Sequence, residues 1–194
     1  MPFLLTTSRR PTQRVRSFCN DVVHISPKTF IKQNRGKRNL AELAVEIYDK
    51  NLDGMILVST SKGNPGKIDF YTIVGGGKLR RLLAMIIGGV KLLREMPYKA
   101  PRIPFRKLYV AYIEPQEELV TLATSLSKAL KAPLINLSAP PDNGAVIRVE
   151  PSRRFLAALS IRDLESQLPC GPLINVKFFY YLGDEGWTRV PPLP

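Results

Sequence analysis

Four arginines cluster at the start of a predicted helix, and residues of this type at this spacing could bind an anion. The cluster consists of Arg9, Arg10, Arg14 and Arg16, where a short predicted strand gives way to a helix that we expect over residues 11–23. The free N–H groups and the dipole of a helix already make its first turn electropositive. Added arginines there cost roughly 0.3–1 kcal/mol each unless an anion lies among them. Phosphate is the commonest such anion. The alternative is that the four arginines are simply solvated on a surface helix.

The helix that positions these arginines has one apolar face. Pro11 fits its first position, because proline lacks the N–H that this position leaves unbonded. Apolar residues recur at helical spacing, and we expect this face to be buried; it comprises Val15, Phe18, Cys19, Val22 and Val23.

The positive charge of the chain is concentrated in two segments. The net charge of +13 favours an acidic partner, with nucleic acid first and an anionic membrane surface second. Residues 1–40 hold nine lysines or arginines against a single acidic residue, Asp21, and residues 78–107 hold nine against Glu95. The remaining residues are slightly acidic overall. If the two segments meet in space, they form one basic surface.

Both basic segments supply candidate RNA-binding residues, because guanidinium and ammonium groups bind phosphate oxygens. The first set is Arg9, Arg10, Arg14, Arg16, Arg35, Lys37, Arg38 and Lys62. The second set is Arg80, Arg81, Lys91, Arg94, Lys99, Arg102, Arg106 and Lys107. Two aromatic residues among them, Tyr98 and Phe105, could stack on bases or could pack in the core or a linker. This scarcity favours contact with the backbone of folded RNA over stacking on single strands.

Catalytic and metal-binding motifs are incomplete. The glycine-rich turns near Lys67 and Lys78 each depart from the phosphate-loop pattern GxxxxGK[ST] at two positions. His24 is the only histidine, which excludes a zinc site with the usual ligand spacings, and a histidine at a helix end is most often structural. We therefore predict no enzymatic activity, no metal or other cofactor and no small-molecule substrate.

Several features predict a cytoplasmic protein without a membrane partner. Cys19 and Cys170 lie outside any CxxC pair, and we expect both to be small buried residues in a reducing compartment. The apolar run at residues 1–5 has no basic residue before it, unlike a signal peptide. The longest apolar run, residues 82–90, is too short to span a bilayer.

The order strand, proline, helix, proline, strand occurs twice, around Pro11 and Pro27 and again around Pro115 and Pro133. We predict an α/β fold of two similar halves, residues 1–96 and 108–183, joined by a basic proline-rich linker, residues 97–107, and followed by an extended tail, residues 184–194. The segment from residue 79 to 96 could form one helix. We favour two strands, residues 82–87 and 90–94, with a hairpin turn at Gly88 and Gly89.

Three motifs resemble the small archaeal Brix-domain proteins over nearly the whole chain. They are LLTTSRRP with RVRSF at residues 4–18, NRGK at residues 34–37 and GPLINVK at residues 171–177. The resemblance implies a role in ribosome biogenesis without catalysis, since eukaryotic relatives act on pre-ribosomal RNA. It also implies two α/β halves with mixed sheets, each similar to the anticodon-binding domain of class II aminoacyl-tRNA synthetases. We expect none of the basic C-terminal extension that many eukaryotic members carry.

Two functional hypotheses follow. The first is a non-catalytic ribosome biogenesis factor that binds rRNA or pre-rRNA and assists its processing and subunit assembly, with ribosomal or assembly proteins as further partners. The second is a protein-interaction scaffold within assembly particles that does not recognise RNA directly. The first requires arginines that are free to meet an anion, and it loses its physical support if they are paired with carboxylates of the same chain.

Overall fold

The computed structural model describes residues 1–97 and 104–190. The first part contains β1 (Phe3–Thr7), α1 (Gln13–Ile25), β2 (Phe30–Lys32), α2 (Leu40–Asp49), β3 (Gly54–Ser61), β4 (Asn64–Val74), β5 (Lys78–Lys91) and a 3₁₀ turn (Leu93–Glu95). The second part contains β6 (Leu108–Tyr112), α3 (Glu117–Leu130), β7 (Ala145–Pro151), β8 (Ala157–Asp163), β9 (Leu173–Gly183) and β10 (Gly186–Val190).

The ten described strands form one mixed sheet. Its order is β2-β1-β3-β4-β5-β9-β8-β7-β6, and β10 pairs with the second part of β9. β1 is parallel to β2 and β3, β6 is parallel to β7, and the other named pairs are antiparallel. The predicted α/β class with a mixed sheet is confirmed.

The strand pairings of β1–β5 recur in the second part of the chain. β1 has two parallel neighbours, and β6 has β7 on one side and a single parallel bridge, Val110 to Leu134, on the other. However, β5 pairs directly with β9, and Phe18 of α1 shares one hydrophobic core with Leu126 of α3. The division into two halves and their likeness to anticodon-binding domains stay predictions.

The first helix begins two residues later than the sequence predicts. Thr12 is its N-cap, and the Thr12 hydroxyl accepts a hydrogen bond from the Val15 amide at 3.4 Å. Pro11 therefore precedes the cap instead of occupying the first turn, because a threonine hydroxyl can satisfy a free helix N–H and proline cannot. The predicted apolar face is otherwise correct: Val15, Phe18 and Cys19 are buried, and Val22 and Val23 are half-buried.

The second helix covers the opposite face of the sheet. Leu43 and Ile47 of α2 pack with Leu4 of β1 and Met55 of β3 in a separate cluster. β1 and β3 are thus covered on both faces, which explains why their central residues are all buried.

The prediction of a hairpin at Gly88 and Gly89 is wrong. β5 runs without interruption from Lys78 to Lys91, and the two glycines accompany irregular register between β5 and β9. A Cβ on Gly88 would lie 2.3 Å from the Phe155 ring, so this glycine admits an aromatic ring against the strand. The turn signal was local, whereas the requirement for glycine comes from a residue distant in sequence.

The predicted tail is also wrong in part. The chain turns back at Asp184 and Glu185, and residues 186–190 form β10, which pairs with β9. The final four residues lie outside the described part of the chain.

Candidate nucleic-acid interface

The carboxyl ends of β1, β2 and β3 meet at one edge of the sheet, beside the start of α1. The Ser8 amide donates to the Val58 carbonyl at 2.9 Å, and the Gln33 amide donates to the Leu5 carbonyl at 3.0 Å. The Thr12 hydroxyl also donates to the Gly63 carbonyl at 2.7 Å. These bonds hold the loop after β1, the loop after β2 and the β3–β4 turn against the first turn of the helix.

A cleft of about 350 Å³ opens at this edge, and we call it the helix-start cleft. Four of the predicted arginines line it, three from the N-terminal segment and one from the loop after β2. Its lining is Thr7, Ser8, Arg9, Arg10, Pro11, Arg16, Asn34, Arg35 and Gly36. The structure thus unites two motifs that lie apart in sequence, SRRP and NRGK.

Among the described residues, the cleft arginines have no ion-pair partner. Within residues 1–97 and 104–190, no carboxylate lies within 4.0 Å of Arg9, Arg10, Arg16 or Arg35. The first turn of α1 contains no acidic residue. Arg9 donates to the Lys37 carbonyl at 3.2 Å, and the Arg35 Nε donates to the Arg38 carbonyl at 2.8 Å. The cleft therefore concentrates positive charge without neutralising it.

Arg14 does not belong to this open surface. Its guanidinium forms two hydrogen bonds with the Glu95 carboxylate, one of them 2.9 Å long, and a third with the Val90 carbonyl. Hydrogen bonds from Arg14 and from the Leu92 amide hold the pKa of Glu95 below its usual range. Arg14 therefore adds no unpaired charge to the cleft, and its contact with RNA stays a prediction. The sequence could not indicate this pairing, because Glu95 lies 81 residues away.

The other members of the first set divide in the same way. Arg38 is paired with Glu46, and its contact with RNA stays a prediction. Lys37 and Lys62 are exposed beside the cleft, in the loop after β2 and in the β3–β4 turn.

Arg10 has a backbone conformation that arginine seldom adopts. Its φ angle is +55°, in the left-handed region, where a Cβ costs roughly 1–2 kcal/mol. This turn places Arg9 and Arg10 ahead of the helix instead of within it.

The second basic set is dispersed. Arg80 lies opposite Thr72, which pairs with Gly54 at the amino end of β3, away from the cleft. Arg81 contacts Asp69 at 3.3 Å. Arg106 and Lys107 follow Phe105, whose amide donates to the Ile25 carbonyl. Ile25 ends α1, about 18 Å from the helix start at a rise of about 1.5 Å per residue.

The remaining members of that set have two outcomes. Arg94 lies beside α1, with its Nη1 3.5 Å from the Ser17 hydroxyl, and Lys91 ends β5 nearby. Lys99 and Arg102 lie outside the described residues, as does Tyr98. Phe105 packs against the core, in agreement with its alternative interpretation. Of the second set, the members that the structure describes do not line the cleft.

Sequence reasoning missed an aromatic surface. Phe178, Tyr180 and Trp187 lie on β9 and β10, with arginine side chains against two of their rings. The available signal was alternation: residues 178 and 180 share one face of a strand, and a second strand carries the tryptophan. Treating residues 184–194 as a tail concealed it.

His24 is exposed near the end of α1. In the described part of the chain, no three His, Cys, Asp or Glu side chains are grouped to hold a metal ion. Nor does any helix there have the length and apolarity needed to cross a membrane.

The chain resembles known proteins over most of its length. No family model matches the chain. It is 29% identical over 213 aligned residues to a probable Brix domain-containing ribosomal biogenesis protein of Pyrococcus horikoshii, covering 97% of this chain and 92% of that protein. Proteins of the same name from several other archaea also match.

Two crystal structures share the fold. A probable ribosomal biogenesis protein from Aeropyrum pernix K1 superimposes with a TM-score of 0.77 at 27% identity, over 91% of this chain and 95% of that one. Mil, an archaeal Imp4-like protein, superimposes with a TM-score of 0.64 at 21% identity, over 92% and 99%. The chain is thus similar over most of its length to the archaeal Brix domain-containing ribosomal biogenesis proteins, and the predicted resemblance is confirmed.

Proposed function

We propose that this chain is a ribosome biogenesis factor that binds rRNA or pre-rRNA through the helix-start cleft. It assists processing and subunit assembly by holding RNA, without catalysis. The observation that carries the proposal is the set of four cleft arginines without internal carboxylate partners among the described residues. The names of the homologues support the ribosomal context.

The chemistry of the cleft suits the phosphate backbone. Guanidinium groups bind two phosphate oxygens at once, and free helix N–H groups add further donors. Neutralising phosphates releases counterions, so affinity falls steeply with salt. The unfavourable placement of arginines at a helix start, and the left-handed turn at Arg10, are costs that a bound polyanion would offset.

The test is a salt titration with two matched triple variants and a labelled rRNA fragment. One variant changes Arg9, Arg10 and Arg16 to Glu, and the control changes Lys28, Lys128 and Arg153 to Glu, with the same change in net charge. We expect the cleft variant to lose affinity far more than the control. Its slope of log K against log salt should fall by roughly 0.7–0.9 for each phosphate that the variant no longer neutralises.

Equal losses in the two variants would overturn the proposal, because affinity would then follow overall charge and not the cleft. That outcome would favour a protein-interaction scaffold without direct RNA recognition.

A further inference from the structure

We propose that a second surface, on the opposite face of the sheet from α1 and α3, binds the unpaired bases of single-stranded RNA by stacking. We call it the aromatic face, and it consists of Arg81, Phe178, Tyr180, Trp187 and Arg189. The choice of RNA as the ligand rests on the proposed function, but the inference concerns a different surface and a different form of RNA.

The aromatic residues of β9 alternate between the two faces of the sheet. Phe179 is buried, and Tyr181 packs against the same core as α1 and α3. Phe178 and Tyr180, one position away, face the other side and remain half-buried, with ring centroids 5.8 Å apart in an edge-to-face arrangement. The sheet therefore presents aromatic rings on the side that those two helices leave uncovered.

Neighbouring strands extend this surface in register. Tyr180 lies between Ala84 of β5 and Arg189 of β10, while Phe178 lies opposite Ile86. α2 covers this face of the sheet only over β1, β3 and the adjoining part of β4 and β5.

Two arginines lie over the rings. The Arg81 guanidinium carbon is 4.6 Å from the Trp187 ring centroid, and that of Arg189 is 4.5 Å from the Phe178 centroid. Trp187 is nevertheless 43% exposed. An exposed tryptophan with a cation at its face combines the two contacts that single-stranded nucleic acids use, base stacking and backbone neutralisation.

Charge distinguishes RNA from an apolar protein partner on this face. Asp69 contacts both Lys67, at 2.9 Å, and Arg81, so it balances only one of the two cations. Within the described residues, Arg189 has no carboxylate within 4.0 Å. Desolvating these cations against an aliphatic surface would be unfavourable, whereas phosphates would satisfy them.

Trp187 is the only tryptophan, so its fluorescence reports directly on this face. The probes are a decauridine oligoribonucleotide and an abasic oligomer with the same number of phosphates, added to the full chain. We expect saturable quenching by the uridine oligomer and little by the abasic one, because only bases stack. Equal binding of both probes, or no quenching, would overturn the proposal.

Variants separate stacking from folding. Trp187→Leu should weaken binding of labelled decauridine by about 5-fold to about 150-fold, the range that loss of one stacked base gives. Arg189→Gln should also weaken it, while Tyr48→Leu, which removes an aromatic residue 61% exposed on α2, should not. Circular dichroism melts check that each variant is folded. Loss of binding in Tyr48→Leu equal to that in Trp187→Leu would contradict the assignment.

The two RNA surfaces fail independently. The triple change of Arg9, Arg10 and Arg16 to Glu should spare most of the quenching by decauridine, and Trp187→Leu should spare the salt-dependent binding of the labelled rRNA fragment. If Trp187→Leu instead converts a dimer to a monomer in sedimentation, without changing decauridine affinity, the face binds a second copy of this chain and the proposal is wrong.

Discussion

Arg14 and Glu95 are joined by a pair of hydrogen bonds that ties the first helix to the turn after β5. The guanidinium donates through both terminal nitrogens, one to each carboxylate oxygen, and also to the Val90 carbonyl. The two side chains are 32% and 31% exposed, so this ion pair is partly buried. One of the four clustered arginines is thus part of the fold, and the others remain open.

Replacing Glu95 should lower stability in a pH-dependent way. Glu95→Gln leaves a partly buried guanidinium without its carboxylate, and we expect a loss of about 1–2 kcal/mol at pH 7. Because Arg14 lowers the pKa of Glu95 in the folded chain, this contribution is present above the unfolded pKa, about 4.3, and disappears as pH falls through the folded value.

Urea unfolding of the wild type and Glu95→Gln between pH 7 and pH 3 measures this difference. The two free energies of unfolding should converge at the acidic end. Glu165→Gln, which changes an exposed carboxylate, serves as the control. A gap that stays constant with pH would mean that the ion pair is not its cause.

Substitutions of Arg14 and Arg10 should affect different properties, the first the stability of the fold and the second the binding of RNA. Arg14→Gln should destabilise the fold by about 1–2 kcal/mol while leaving the salt slope of RNA binding unchanged. Arg10→Asn should reduce that slope by roughly 0.7–0.9 for each phosphate that Arg10 neutralises. It should keep stability within about 0.5 kcal/mol, because asparagine tolerates a φ of +55° well. Denaturant melts and anisotropy titrations on both variants measure the two effects, and a reduced slope in Arg14→Gln would contradict the assignment of Arg14 to the fold.

The sequence predicts the features that depend on nearby residues. The apolar face of α1 follows from helical spacing. The helix boundary is less accurate, because the sequence analysis starts the helix at Pro11, whereas Thr12 caps it in the structure.

Features that depend on distant residues escape prediction. Glu95 neutralises Arg14 across 81 positions, and Phe155 dictates the glycine at 88. Similarly, β10 is identified only once its partner strand is known, and with it the aromatic face. The sequence shows which segments carry the positive charge, but the ion pairs in the folded chain decide which of those charges are free to bind an anion.

Gly88 and Gly89 provide a test of the close contact with Phe155. A Cβ on Gly88 would lie 2.3 Å from that ring, whereas the nearest atom to a Cβ on Gly89 is 3.9 Å away. Gly88→Ala should therefore cost about 1–3 kcal/mol through overpacking, and Gly89→Ala should cost far less. Midpoints of urea unfolding measure both. Phe155→Leu replaces the ring with a smaller side chain and should relieve part of the cost of Gly88→Ala in the double variant. Strict additivity of the two changes in stability would contradict the contact.

Cys19 and Cys170 should be unreactive in the folded chain. Both are free and buried, and burial raises the pKa of each thiol to about 12. Since the thiolate is the nucleophile, little of it exists at pH 8, and reagent must also wait for the structure to open. We expect Ellman's reagent to label both thiols promptly in 8 M urea but only slowly in buffer, at a rate that follows the stability of each variant above. Cys19→Ala and Cys170→Ala assign each phase to its thiol. Rapid labelling of one thiol in the native chain would mean that its element opens locally, which for Cys19 would place that opening in α1, the helix that carries the cleft.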